Sequence, residues 1–278
     1  MAEKESTSHS HVSSQKHGQR LGPEEQRMQG HWLLASMGKK VLRPGGRELT
    51  NELLSKLTIN SDSRIIEFGP GVGHTAARLL EKNPKTYTAV DRDQEGTAQV
   101  KKLFENYPQT KYVSADAKES GLPDECATLV IGEAMLTMQT DKGKRAIISE
   151  AARMLEPGGI YAIHELAFVP DSCPPEVQES VAAQLRKTIK VGARPLTVAD
   201  WSELLKELGF EIEFTTTKPM ALLEPKRIIS DEGLKGALGF FKNVASNPPA
   251  RKRIIAMRKT FTQHKENLAG VGIVARKK

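Results

Sequence analysis

A chain of 278 residues, 38% hydrophobic and 27% charged, has enough apolar material for a sizeable core and too ordinary a composition for a disordered or fibrous protein. Its 41 Lys+Arg against 34 Asp+Glu give a net charge of +7, and two cysteines, Cys126 and Cys173, exclude a disulfide scaffold and a four-cysteine zinc site. No apolar run reaches the roughly 18–20 residues of a membrane-spanning helix, and the polar opening MAEKESTSHSHVSSQKHGQR lacks the apolar stretch of a signal peptide, which predicts a disordered tail over 1–22 and a cytoplasmic location.

Apolar residues at Met28, Trp32, Leu33, Ala35 and Met37 predict a helix over 23–40, broken by Pro44-Gly45-Gly46. Thr50 is placed to cap a second helix over 51–57. From there strands and helices alternate. The β-branched run 64–68 is a first strand, followed by a helix over 74–82. A second strand, 86–90, is closed by Asp91, and Asp93 is placed to cap a helix over 94–106. Strands at 110–114 and 127–131, a helix over 142–155 and a strand at 160–164 complete the rhythm. Such alternation predicts a parallel sheet covered on both faces.

Beyond residue 164 the pattern loosens. A helix is expected over 174–190, and Thr197 is placed to cap another over 198–208, which feeds a strand at 210–216. Residues 218–268 read as helical with breaks at Pro225 and Asn247-Pro248-Pro249, and 270–275 reads as a closing strand. Residues 218–278 hold 14 Lys/Arg against 4 Asp/Glu, leaving a net −3 for residues 1–217. A solvated helix face accounts for this surplus more readily than a surface for an acidic substrate, a membrane or nucleic acid, because aromatic residues barely interleave with the charges.

The stretch Glu67-Phe68-Gly69-Pro70-Gly71-Val72-Gly73-His74 is the most informative. Glycines at alternate positions after a strand let the backbone turn tightly and approach a ligand that a Cβ would block. A dinucleotide fold wants G-x-G-x-x-G, with its third glycine where this chain has His74. The acidic residue two places before a G-x-G-x-G run resembles instead the first motif of class I S-adenosylmethionine-dependent methyltransferases. Asp91 after the second strand, Asp116-Ala117 after the third and Leu155-Glu156-Pro157-Gly158-Gly159 before the fifth extend that resemblance across about 64–217. The region 31–46 is similar to the N-terminal cap of small-molecule members, of the methyltransferase type 11 kind.

The resemblance implies a Rossmann-like α/β fold of seven strands, mostly parallel with an antiparallel last strand, and S-adenosylmethionine as cofactor. Asp91 would accept from the ribose hydroxyls, with Arg92 beside it, and Asp116 and Ala117 would meet the adenine. Glu67 would meet the cofactor's ammonium, with Gly69, Pro70, Gly71 and Gly73 forming the loop, and Arg43 is a candidate for its carboxylate. Open α/β sheets place substrate at the carboxyl ends of their strands. Glu133, His164 and Glu165 are therefore either contact groups, with His164 able to serve as a base, or hydrogen-bonded structural residues. No metal site is implied.

Asn247-Pro248-Pro249-Ala250 is set apart from the motif of adenine-N6 methyltransferases by its place after the sixth strand and its final alanine. Two thiols are too few for an arsenite methyltransferase. The expected organisation is a cap over 23–60, a cofactor-binding part over 61–217 plus 270–278, and a helical lid over 218–269 inserted between the last two strands. That cover favours a small-molecule acceptor, with the basic lid biasing the site towards acidic ones. Nucleic acid is disfavoured as a partner. An RNA or protein methyltransferase using the basic region, and a non-catalytic cofactor-binding protein, are the competing readings.

Overall fold

The computed structural model describes residues 28–278 other than Asp93. The tail over 1–22, the start of the first helix before Met28 and the capping role of Asp93 lie outside the described residues.

In chain order the elements are α1 (Gly30–Ser36), α2 (Gly46–Ser55), β1 (Arg64–Phe68), α3 (His74–Leu80), β2 (Thr86–Asp91), α4 (Gln94–Phe104), β3 (Thr110–Ser114), β4 (Ala127–Glu133), α5 (Asp141–Met154) and β5 (Leu155–Phe168). There follow α6 (Pro175–Ile189), β6 (Leu196–Thr197), α7 (Val198–Glu207), β7 (Phe210–Pro219), α8 (Pro225–Ser246), α9 (Pro248–Gln263) and β8 (Leu268–Lys277). The sheet runs β3-β2-β1-β4-β5-β8-β7, with β6 paired to the end of β5. β1 to β5 are parallel, and β8 is antiparallel to both β5 and β7. The seven expected strands are present. The two-residue β6 is an eighth, too short to leave a periodic signal.

Successive strand residues point to opposite faces. Ile65, Tyr87, Leu129 and Ile131 pack with Leu53 of α2, Leu79 of α3 and Val100 of α4. Ile66, Phe68, Val90 and Val130 pack with Ile147 and Met154 of α5 and Trp201 and Leu205 of α7. A third apolar cluster joins Leu33 of α1, Leu185 of α6, Phe240 of α8 and Met257 and Phe261 of α9 to Leu166, Phe168 and Met220. The inserted helices α8 and α9 thus share a core with the first helix and the ends of β5 and β7. Among the described residues no helix is long and apolar enough to cross a membrane.

Two differences from the expected elements bear on the site. α2 begins at Gly46, not after Thr50, because Gly45 takes a left-handed conformation at its N-cap (φ 72°) and Asp231 Oδ1 accepts the Arg47 N–H at 2.9 Å. Thr50 is consequently a buried mid-helix residue. β5 runs to Phe168 because β8 pairs with it from Ile160 to Phe168, so His164 and Glu165 lie inside the strand and not at its carboxyl end.

Candidate functional site

The strand order reverses between β1 and β4, and the crevice beyond their carboxyl ends is where open α/β sheets bind ligands. A cavity of about 370 Å³ opens there. Glu67, Gly69, Pro70, Gly71, Asp91, Arg92, Asp116, Ala117 and Glu133 all line it, as does Arg43. The loop after β1 is held by Gly69 N–H donating to Val90 O at 2.9 Å. Gly69 and Gly71 have φ of +62° and +54°, and a Cβ on either would meet no atom of the described residues within 4 Å beyond its chain neighbours. Their bare faces leave room for a ligand to approach the backbone closely. Gly73 differs. It caps α3, a Cβ there would lie 3.4 Å from Val100, and it does not line the cavity. Its contribution is to the start of the helix and not to the cavity wall, a correction to its expected place.

Two buried carboxyls lie on the strands that flank the switch point, Glu67 on β1 and Glu133 on β4. Glu67 accepts from the Tyr87 hydroxyl, and burial pushes its carboxyl up to about 8, with Glu133 adding to the rise. Glu133 is the opposite case. Burial alone would raise it, but Arg43, His164 and the Thr75 hydroxyl outweigh that and hold it well below the usual carboxylate range. Its Oε2 lies 3.0 Å from Arg43 Nη1, and its Oε1 accepts from Thr50 Oγ1 at 2.8 Å. Arg43 Nε is buried and has no hydrogen-bond partner among the described residues. One edge of the guanidinium is therefore committed to Glu133 and another donor is unmatched beside the cavity.

His164 is fully buried and lies outside the cavity lining. Its Nε2 bonds to Pro44 O, a carbonyl that can only accept, so that nitrogen carries a hydrogen. Its Nδ1 is 3.1 Å from Glu133 Oε1. Thr50 Oγ1 lies 3.3 Å from the same Nδ1, so both ring nitrogens are engaged by protein groups, on a side chain buried away from the cavity. Glu165, also fully buried, accepts from the Met135, Leu136 and Thr137 N–H groups and from Thr137 Oγ1 at 2.7–3.0 Å. It fixes the turn after β4. The expectation that these two residues contact cofactor or substrate is corrected: they hold the walls, and β5's extra length puts them below the rim.

On the rim, Asp116 Oδ2 pairs with Arg92 at 3.1 Å and with Lys118 at 3.7 Å. Asp91 lies at the end of β2, half-buried and facing the cavity. His74, read from the sequence only as the residue that breaks the dinucleotide pattern, also lines the cavity. Burial, then the charges of Arg43 and Lys40, hold its imidazole below the ordinary histidine range, so it is neutral at pH 7. Its position immediately after the glycine loop, at the N-terminus of α3, was the available signal.

The far end of the cavity is apolar, with Leu34 of α1, Leu185 and Ile189 of α6, Met220, and Met257 and Phe261 of α9. Every lining residue beyond 218 is apolar, so the basic surplus of that region is not part of the cavity wall. α8 reaches the site indirectly. Glu232 Oε1 accepts the Lys40 and Val41 N–H groups at 3.0 and 2.9 Å. Asp231, besides capping α2, lies 3.7 Å from the buried Lys39 Nζ. The two carboxylates pin the segment that carries Arg43 and Pro44.

Residues 65–159 match a family model described as a methyltransferase domain. An uncharacterized protein of Haemophilus influenzae is 32% identical over 251 residues, which is 89% of this chain and 98% of that one. The 27-O-demethylrifamycin SV methyltransferase of Amycolatopsis mediterranei is 26% identical over 184 residues, 62% of this chain and 63% of its own length. Among solved structures, the methyltransferase of Geobacter sulfurreducens in complex with S-adenosyl-L-homocysteine has a TM-score of 0.64 at 18% identity, covering 88% of this chain and 98% of that one. The chain belongs to the class I S-adenosylmethionine-dependent methyltransferases. The cavity fits that cofactor: bare glycine faces, an unmatched guanidinium donor for a carboxylate and a buried carboxyl in want of a cation.

Proposed function

We propose that the acceptor is a small molecule with a largely apolar body. The observation that carries this is one continuous cavity, polar from the glycine loop to Asp116 and walled at its other end by apolar residues of α1, α6 and α9. An RNA or protein acceptor would call for an open groove, and an acidic one for cations at the apolar end.

In this reading Asp91 accepts from the ribose hydroxyls, Asp116 and Ala117 border the adenine with Arg92 closing over them, and Gly69, Pro70 and Gly71 let the backbone meet the amino-acid portion. Glu67 takes its ammonium, and the free Nε of Arg43 takes its carboxylate. Glu133 acts through Arg43, fixing the guanidinium while Thr50, Thr75 and His164 fix Glu133. The bound cofactor supplies a methyl group on a sulfonium, and the chain's task is alignment and exclusion of water. Where the acceptor atom starts protonated, the neutral His74 is a base that the cavity wall offers.

Calorimetry with S-adenosylmethionine, its demethylated product and NAD tests the cofactor end. Wild type is expected to bind the two sulfur compounds and not NAD, and Asp91→Ala to lose about a hundredfold in affinity, the worth of two hydrogen bonds to a charged group. Methyl-labelled cofactor incubated with fractionated extracts tests the acceptor end. Label in solvent-extractable small molecules is expected; label confined to RNA or protein overturns the reading.

A further inference from the structure

Residues 233–265 hold eight Lys/Arg and no Asp or Glu, the longest such imbalance in the chain. They span the part of α8 beyond the break at Gly233, and all of α9. Among the described residues, every large hydrophobic side chain that is exposed lies on these two helices. Leu234, Leu238 and Phe241, at positions i, i+4 and i+7 of α8, are 77%, 71% and 38% exposed and share one face. Lys235 and Lys242 border that stripe. On α9, Ile255 is 60% exposed. Arg251, Lys252, Arg258 and Lys259 lie three and four positions to either side of it, so four cations ring one exposed aliphatic side chain.

We propose that this surface docks on an anionic lipid bilayer, with the aliphatic side chains entering the boundary between headgroups and acyl chains and the cations meeting lipid phosphates. Helices that lie on membranes combine these two features. Leucine and isoleucine contribute little to a phosphodiester backbone, and a single exposed aromatic, Phe241, offers almost no base stacking. A second copy of the chain would set one cationic face against another. The surface is independent of the acceptor reading, but the two meet in α9, whose other side places Met257 and Phe261 in the cavity wall. The solvated-face reading of the charges leaves the exposed aliphatics without a role.

The test is sedimentation of the full chain with vesicles of phosphatidylcholine alone and of phosphatidylcholine mixed with phosphatidylglycerol. Binding to the mixed vesicles that weakens with added salt, and little to the neutral ones, is expected. The variants Leu234→Ser/Leu238→Ser/Ile255→Ser and Lys252→Gln/Arg258→Gln/Lys259→Gln should each lower the partition more than about tenfold, given the usual contribution of a basic residue at an anionic surface. Both should keep the wild-type heat of cofactor binding, which shows that fold and site are intact. The proposal is overturned by equal binding to the two kinds of vesicle, by no binding, or by full binding of the serine variant. It is also overturned by wild-type preference for RNA over vesicles, or by a dimer that the serine variant dissolves.

Discussion

Replacing Glu67 by glutamine should move the fold and the cofactor site in opposite directions. The carboxyl is pushed from 4.5 up to about 8, by burial first, with the Tyr87 hydroxyl and Arg43 drawing it part of the way back and Glu133 raising it further. A carboxyl whose folded value lies above its unfolded one contributes stability that is complete below the unfolded value and is lost as pH rises through the folded one. At roughly 1.4 kcal/mol per pH unit, the cofactor-free protein loses about 5 kcal/mol through this group between pH 4.5 and 8. Glutamine keeps a carbonyl for the Tyr87 hydroxyl and does not titrate. Above pH 8 the variant should therefore melt about 10 °C higher than wild type, at a few degrees per kcal/mol for a chain of this size. Cofactor binding goes the other way. An ammonium needs the carboxylate, so wild type at pH 7 should release close to one proton per cofactor bound, read by calorimetry in buffers of different ionisation enthalpy. The variant should release none and bind roughly tenfold to a hundredfold more weakly. Equal proton release in the two proteins, or a variant no more stable at alkaline pH, would refute the reasoning.

Glu133→Gln removes the charge that holds Arg43 and His164, and should cost about 3–5 kcal/mol in denaturant unfolding at neutral pH. Because the folded Glu133 titrates well below its unfolded counterpart, its contribution is present above pH 4.5 and lost as pH falls towards that depressed value, so the two proteins should converge in acid. Gly71→Ala should lower stability by only about 1–2 kcal/mol for a left-handed residue, yet weaken cofactor binding far more, since its Cβ enters space that none of the described residues beyond its chain neighbours occupies. With a hydroxyl acceptor, His74→Gln should lower kcat more than it changes KM and abolish the acid limb of the pH–rate profile. A profile unchanged in shape would remove His74 from proton transfer.

The alternation of strand and helix is legible from residue 64 to 217 because both periodicities are strong and the glycine loop marks one strand's end. The start of α2 is not, because the group that caps it, Asp231, comes 184 positions later than Arg47. Local capping rules therefore favour Thr50, whose hydroxyl serves Glu133 instead. At the site, glycine spacing and the acidic residues after β1, β2 and β3 locate one end of the cavity. What strand position does not reveal is how a side chain's hydrogen bonds are used. His164 and Glu165 have the residue types of catalysis, yet both are fully buried and engaged by a proline carbonyl, a carboxylate, a threonine hydroxyl and a tight turn. His74 is hidden for the converse reason: at a position where a motif wants only a small residue, a titratable one reads as a mismatch.

The grip of Asp231 and Glu232 on residues 39–47 has a consequence for how such enzymes diversify. The inserted helices α8 and α9 are not an exchangeable module. Grafting α8 and α9 from a relative to alter acceptor preference would also change what anchors Arg43 and the Pro44 carbonyl, and with them the partners of Glu133 and His164. On the proposed assignment of the cavity, the Arg43 end and the apolar wall on α9 would change together, and a productive exchange would have to carry the 39–47 segment along with the helices that hold it.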